Sequence, residues 1–264
     1  MELRNLIKMD DEFKYFTNRL GFYNLSIFQI STHIEEFSKY RLNTIDELTK
    51  DFNFPIVGKK LIYRNVLTSK YEVASSEMIN RDNLVSTTTE IINHYSNYCV
   101  SQSFETFVRF LKRVTIRYLI QNSSELAKTL NIDTSDYDNC KSSIDTYCKK
   151  DNKYNKQLFK ILYLINPEIA FYESNNFLDF NFKEWNVVLT EVRHAITHSD
   201  SRLIMDKTSN WTDFQLRLLT EIFQKEKQDS FILIKTNDDY DYIIKIIAQH
   251  GQLIYDKLKN KNVC

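Results

Sequence analysis

Three glycines and two prolines in 264 residues leave this chain few places to break or reverse. Glycine tolerates the backbone of tight turns and proline ends helices, so a many-stranded barrel or a glycine-rich nucleotide fold lacks its raw material here. Long helices are what remain. The three glycines also stand too far apart for a GxGxxG or a P-loop, which excludes dinucleotide and P-loop chemistry. Hydrophobic residues make up 42%, with 18 Phe and 16 Tyr, ample for a core. The sequence therefore predicts an all-α protein, an up-and-down helical bundle with an N-terminal helical extension and at most one short β-hairpin.

Thirty-five basic side chains balance 35 acidic ones. A neutral chain does not hold nucleic acid by bulk charge, so such binding needs a local basic patch. The longest apolar runs fall short of a membrane span, and the start, MELRNLIKMDDEF, is too acidic for a secretory leader. A cytoplasmic protein with no membrane partner is expected. Cys99, Cys140, Cys148 and Cys264 form no CxxC pair, which points to reduced, structural thiols, and Cys264 lacks the following residues of a prenylation signal. The abundance of Asn, Lys and Ile suggests an AT-rich, bacterial genome.

Taken in order, residues 1 to about 50 read as two helices. Leu6, Met9, Phe13, Phe16 and Leu20 form one stripe closed by Gly21, and Leu25, Phe28, Ile34, Phe37 and Leu42 form the next. His33 beside Glu35 and Glu36 reads as a solvated face. Residues 53–74 fit strand, loop or helix equally, and a boundary near residue 80 separates the extension (1–80) from a helical domain (81–264). Residues 78–121 read as one long helix or two abutting ones, with Phe104, Phe107, Val108, Leu111, Val114 and Tyr118 on its apolar face. Arg109, Lys112, Arg113 and Arg117 lie opposite, either a solvated basic face or a ridge that tracks phosphates. Residues 122–153 read as loop with a short helix, and 156–170 as helix interrupted at Asn166-Pro167. Trp211–Phe223 is a further helix. Phe231–Ile234 is strand-like and fit to pair with Leu203–Met205. In the last helix, opened by Asn237 and Asp238, His250 falls on the apolar face and reads as a satisfied core histidine.

The stretch Trp185–Met205, WNVVLTEVRHAITHSDSRLIM, concentrates the chemistry. On helical spacing Trp185, Val188, Leu189, Val192 and Ile196 make an apolar face, against which Glu191, His194 and His198 project with Arg193 on the flank. His194 and His198 have a spacing that can hold a metal, and Glu191-x-x-His194 is the motif of di-iron bundles. That site needs a second such motif, which is absent, and a mononuclear site lacks a third ligand, so no metal or other cofactor is expected. Val187, Thr190, Glu191, His194 and His198 form a second stripe. Val187 there suits a stripe that meets another surface, either the same stripe of a second chain or the protein's own N-terminal extension.

Arg193, His194 and His198, followed by the polar break Ser199–Arg202, resemble the signature of the HEPN family of small helical nucleotide- and RNA-binding domains: Arg, a polar residue, a short spacer and His. The resemblance covers about residues 85–260. It implies a metal-independent endoribonuclease that drives the ribose 2′-hydroxyl onto the adjacent phosphate, with two motifs meeting across a homodimer. It also implies a setting in bacterial antiphage defence or a toxin–antitoxin system, with an antitoxin or defence-system partner protein. In that scheme Arg193 holds the phosphate, His198 moves protons, His194 aids the phosphate or orients the loop, and Glu191 holds a histidine tautomer. Members that have lost catalysis bind RNA, a nucleotide or a protein partner, and that scaffold role is the alternative. Family toxins regulated by nucleotide transfer carry a tyrosine two residues past the motif histidine, where this chain has Asp200.

Overall fold

A computed structural model describes residues 8–49, 56–64, 71–79, 81–122, 125–149, 154–227, 230–236 and 238–261. The described chain is mostly helical: α1 (Met9–Thr49), α2 (Arg81–Asn122), α3 (Glu125–Thr129), α4 (Tyr137–Lys149), α5 (Tyr154–Ile165), α6 (Pro167–Tyr172), α7 (Phe182–His198), α8 (Asp213–Ile222) and α9 (Tyr240–Lys261). Five strands complete it: β1 (Ile56–Arg64), β2 (Tyr71–Ile79), β3 (Arg202–Ile204), β4 (Gln224–Lys227) and β5 (Phe231–Lys235), with a short 3-10 helix at Met205–Thr208. The all-α expectation holds, with more strand than a single hairpin. The chain divides into two compact units, residues 1–25 with 96–264, and residues 26–95.

In the smaller unit, β1 and β2 pair antiparallel from Ile56↔Ile79 to Arg64↔Tyr71, with irregularities between Val57 and Lys60 and between Leu61 and Ile62. This settles the stretch that the sequence left open. Within that unit, Thr88 on α2 donates to Ser38 on α1 (Oγ1···Oγ 3.0 Å). Ile27 and Ile45 are buried, whereas Phe28 and Phe37, expected on a core stripe, are exposed.

The two helices expected in the first 50 residues are one. The buried row Met9, Phe16, Leu20, Tyr23 and Ile27 continues past Gly21, so there is packing to gain on both sides of the glycine. Gly21 has an ordinary helical φ, and a Cβ there would meet nothing within 4 Å.

Residues 9–25 belong to the larger unit's core rather than to an extension ending near residue 80. Phe16 stacks on Phe110 of α2 (4.4 Å between centroids, 12° between planes), and Phe13 stacks on Tyr255 of α9 (4.4 Å, 14°). Phe104, Phe107, Leu111, Val114 and Tyr118 are buried as expected of α2, while Val108 is half-buried. Residues 137–149, read as mostly loop, form α4 because Cys140, Ile144 and Cys148 make a buried i, i+4, i+8 row. Burial pushes the thiols of Cys140 and Cys148 up to about 12, and neighbouring aspartates act in the same direction. Cys99, Cys140 and Cys148 are thiols outside any disulfide; Cys264 and Asn237 lie outside the described residues.

Asn166 caps α6 by accepting from the Glu168 N–H (3.1 Å), with Pro167 at the first helical position. Thr212 and Gln215 form a reciprocal capping box at α8. The pairing expected for Phe231–Ile234 is present: β3 runs antiparallel to β5 through Arg202↔Leu233, Leu203↔Ile232 and Ile204↔Phe231, and β4 flanks β5 on its other edge. His250 is a satisfied core histidine. Its Nε2 lies 2.7 Å from Glu173 Oε1, Tyr163 donates to Glu173 Oε2 at 2.5 Å, and the imidazole stacks on Phe182 (4.8 Å) and Phe159 (5.7 Å).

The two helical glycines in these units should respond oppositely to alanine. Gly21→Ala relieves the entropy cost of glycine in open space and should stabilise by about 0.5–1 kcal/mol. At Gly251 a Cβ would fall 2.3 Å from Phe16 Cε1, inside a packed core, so Gly251→Ala should destabilise by about 1–3 kcal/mol or more. Urea unfolding followed by circular dichroism measures both; equal responses would refute this account of α1 and α9.

Candidate functional site

The motif helix starts at Asn181, whose side chain accepts from the Glu184 N–H (3.1 Å). Phe182, Trp185, Val188, Leu189, Val192 and Ala195 are its buried face; Ile196, expected there, is half-buried, and Ala195 takes its place. The helix ends in a turn that the residues 199–202 only hinted at. Asp200 and Ser201 both take positive φ (51° and 61°), and the N–H groups of Ser199 and Ser201 both reach the Ala195 carbonyl at 3.0 Å. Two non-glycine residues in that region store strain of about 1 kcal/mol or more each, which surrounding bonds must hold. Buried Asn97 of α2 supplies them: its Nδ2 donates to Ser201 Oγ (2.9 Å) and to the Ile234 carbonyl (3.0 Å), and its Oδ1 accepts from Thr236 (2.8 Å).

From this anchor a row of polar pairs runs between α2 and α7. Ser101 meets Thr197 (3.3 Å between hydroxyl oxygens), and Glu105 forms an ion pair with Arg193 through Oε1 and Nη2. Both members of that pair are about 70% covered, and the Arg193 Nε–H is buried without a hydrogen-bond partner among the described residues. The guanidinium is thus directed at α2. His194 and His198 lie on another side of the helix, their rings 4.9 Å apart and inclined by 50°. His194 is half-buried and His198 exposed, and neither imidazole makes a hydrogen bond among the described residues.

Glu191 pairs with Lys207 of the 3-10 helix (3.9 Å) instead of orienting a histidine. The His194 pKa is held below the ordinary imidazole value, first by burial, then by the charges of Lys207, His198 and Arg193, with Glu191 opposing. The structure therefore gathers Glu191, His194, His198 and Lys207, and sets Arg193 apart against Glu105. No contact joins Arg193 to His198 among the described residues. On the second stripe, Val187 is 42% exposed, and the Thr190 hydroxyl donates to the Asn186 carbonyl (2.7 Å).

The ridge on α2 does not form as an outward phosphate track. Arg117 is buried, its Nε 3.7 Å from Glu12 Oε1 and its guanidinium 4.5 Å above the Tyr137 ring. Arg113 Nη1 donates to Glu12 Oε2 (3.2 Å), and Lys112 pairs with Asp145, which also accepts from Tyr154 (2.7 Å). The reason is packing: α2 is covered on this side too, and each covered cation needs an anion. Of the four, Arg109 alone is exposed and free of a partner among the described residues.

The partners Asn97, Glu105 and Lys207 were not singled out from the sequence. A signal for two of them exists, since Asn97, Ser101 and Glu105 recur at i, i+4 and i+8 along one face of α2. Among the described residues, no three His, Cys, Asp or Glu side chains converge as a metal-ligand set, and no helix is long and apolar enough to cross a membrane. Compared with models of known families, with curated proteins and with solved structures, the chain matches none.

Because the folded pKa of His194 lies below that of the unfolded chain, the unfolded state takes up the proton first as pH falls. The corresponding stability is present above the ordinary imidazole value and is lost as pH drops toward the folded one. A histidine NMR titration should show His194 with a midpoint below 6.5, moving upward in Lys207→Met. A midpoint at or above 6.5 in the wild type would contradict this environment.

Proposed function

We propose that this chain is a HEPN-type, metal-independent endoribonuclease, and that His194 and His198 carry its proton transfers. The observation behind this reading is the imidazole pair: two rings 4.9 Å apart, without hydrogen bonds among the described residues, one of them biased toward its neutral form. Neutral His194 takes the proton of a ribose 2′-hydroxyl. The 2′-oxygen bonds to phosphorus, the bond from phosphorus to the 5′-oxygen breaks, and His198 delivers a proton to that leaving oxygen. The products are a 2′,3′-cyclic phosphate and a 5′-hydroxyl. Lys207, beside His194, supplies positive charge for the phosphate. Arg193 joins it on exchanging Glu105 for phosphate, a swap between two anions for which its planar fork is suited. The setting proposed is bacterial antiphage defence or a toxin–antitoxin pair.

A second reading, a non-catalytic HEPN scaffold that binds RNA, a nucleotide or a protein partner, is favoured by the Glu105–Arg193 pair, which already neutralises the motif arginine. Incubation with RNA in EDTA separates the two. The nuclease reading expects cyclic-phosphate ends, with cleavage reduced about 100-fold or more in His198→Ala and His194→Ala. Glu105→Gln, which frees Arg193 while keeping the shape, should retain or raise cleavage. RNA left intact by purified wild type, at any pH from 5 to about 8, would rule the nuclease reading out.

We also propose a C2 homodimer through the stripe of Val187, Thr190, Glu191, His194 and His198, which brings two motif helices to one cleft. The exposure of Val187 supports it. Light scattering should give a dimer mass for the wild type and a monomer mass for Val187→Arg. A monomeric wild type that still cleaves RNA would remove the shared cleft from the proposal.

A further inference from the structure

Away from the motif helix, the larger unit carries a second concentration of cationic and hydroxyl side chains. A small groove between the start of α1 and the middle of α2, with a volume of about 50 Å³, is lined by Arg19, Arg109, Arg113, Thr106, Tyr23 and Glu12. Phe16 and Phe110, stacked on each other, are also in its lining. Three guanidinium groups thus line one groove against one carboxylate. That carboxylate is already engaged, with Glu12 Oε2 accepting from Arg113 and Oε1 facing Arg117, the latter a fourth cation behind the wall.

The other two arginines have no acidic partner among the described residues. Arg19 is held by Tyr23, whose hydroxyl accepts from its Nη2 at 2.9 Å, and lies 5.2 Å and 5.0 Å over the rings of Phe22 and Tyr23. Those contacts fix the fork without neutralising it. Arg109 is exposed and has no partner among the described residues. Thr106 adds an independent sign. Only 7% of it is exposed, yet its hydroxyl makes no hydrogen bond among the described residues. The buried Thr115, nine positions on, turns its hydroxyl back to the Leu111 carbonyl at 2.7 Å, as helical threonines commonly do. The Thr106 hydroxyl is thus left open to the groove, a donor beside two guanidinium groups that have no acidic partner among the described residues.

We propose that this groove binds the phosphate group of a small phosphorylated ligand. Arg109 and Arg19 would grip its oxygens, Thr106 would donate to a third, and Arg113 would add charge while shared with Glu12. The groove has room for a tetrahedral oxyanion, and the remainder of the ligand extends outward past Tyr15, which is half exposed at the groove. This site does not depend on the nuclease reading.

Isothermal titration of the full chain at low salt tests it, with inorganic phosphate and AMP as separate probes and chloride at matched ionic strength as control. Saturable one-to-one binding of either probe is expected. AMP binding the more tightly identifies an organic monoester as the source, and phosphate binding equally well identifies the free ion. Arg109→Gln should weaken binding about tenfold, as loss of a charge-assisted hydrogen bond does, and Thr106→Val several-fold with its shape conserved. Unchanged thermal unfolding of both variants without ligand verifies their fold. Heats no larger than the chloride control, or wild-type affinity in both variants, would overturn the proposal.

Discussion

Phe16 against Gly251 is the close contact on which the larger unit is built. The phenylalanine is fully buried, stacked on Phe110, inclined to Phe107, and set where any side chain at 251 would stand. One of only three glycines in the chain is therefore placed where the helix backbone of α9 must come within reach of an aromatic ring. From Phe107 the aromatic contacts continue to Phe159 and His250, and from His250 to Phe182 at the start of the motif helix. Dense packing of this kind transmits displacement poorly tolerated by any one element. The position of α7 thus depends on a contact between α1 and α9.

Charge is handled inside this core with the same economy. Glu12 is 6% exposed and shared by Arg113 and Arg117, and Glu173 is fully buried between Tyr163 and His250. Burial and the Glu173 carboxylate both push the Tyr163 hydroxyl's pKa upward, which keeps that donor protonated. A buried ion pair offers little net stability, but removing one partner costs about 3–5 kcal/mol, so such groups act mainly to specify arrangement. This is why a cationic row that looks solvated in sequence is largely internal in the fold.

The long helices were legible because the scarcity of Gly and Pro removes most other choices, and the β3–β5 pairing because an isolated Phe-Ile-Leu-Ile run has few other uses. Gly21 misled, since a glycine ends a helix only if the following residues gain more by leaving it, and the buried Tyr23 and Ile27 gain by staying. In α4 the apolar row is two cysteines around one isoleucine, too faint to emerge from polar neighbours. At the candidate site the residue types Arg193, His194 and His198 stood out by spacing. What they touch did not, because Glu105 comes from α2 and Lys207 is brought back by the turn after α7, just as Arg113 finds Glu12 across 101 positions. Local pattern reveals which residues share a face; it carries no information on which remote side chain meets them.

The polar row between α2 and α7 has a consequence of its own. Its rungs, Asn97 with Ser201, Ser101 with Thr197 and Glu105 with Arg193, advance by four residues on one side as they retreat by four on the other. Apolar helix faces alone would tolerate a slide of one turn, since one aliphatic side chain replaces another. Here a slide in one direction sets Arg193 opposite Arg109, and in the other sets Glu105 opposite Leu189. Each misfit leaves a charge repelled or stranded, and it undoes all three rungs together. The row therefore works as a vernier: it admits one alignment of the two helices and makes the neighbouring ones costly, so the motif residues are displayed at a single height and rotation.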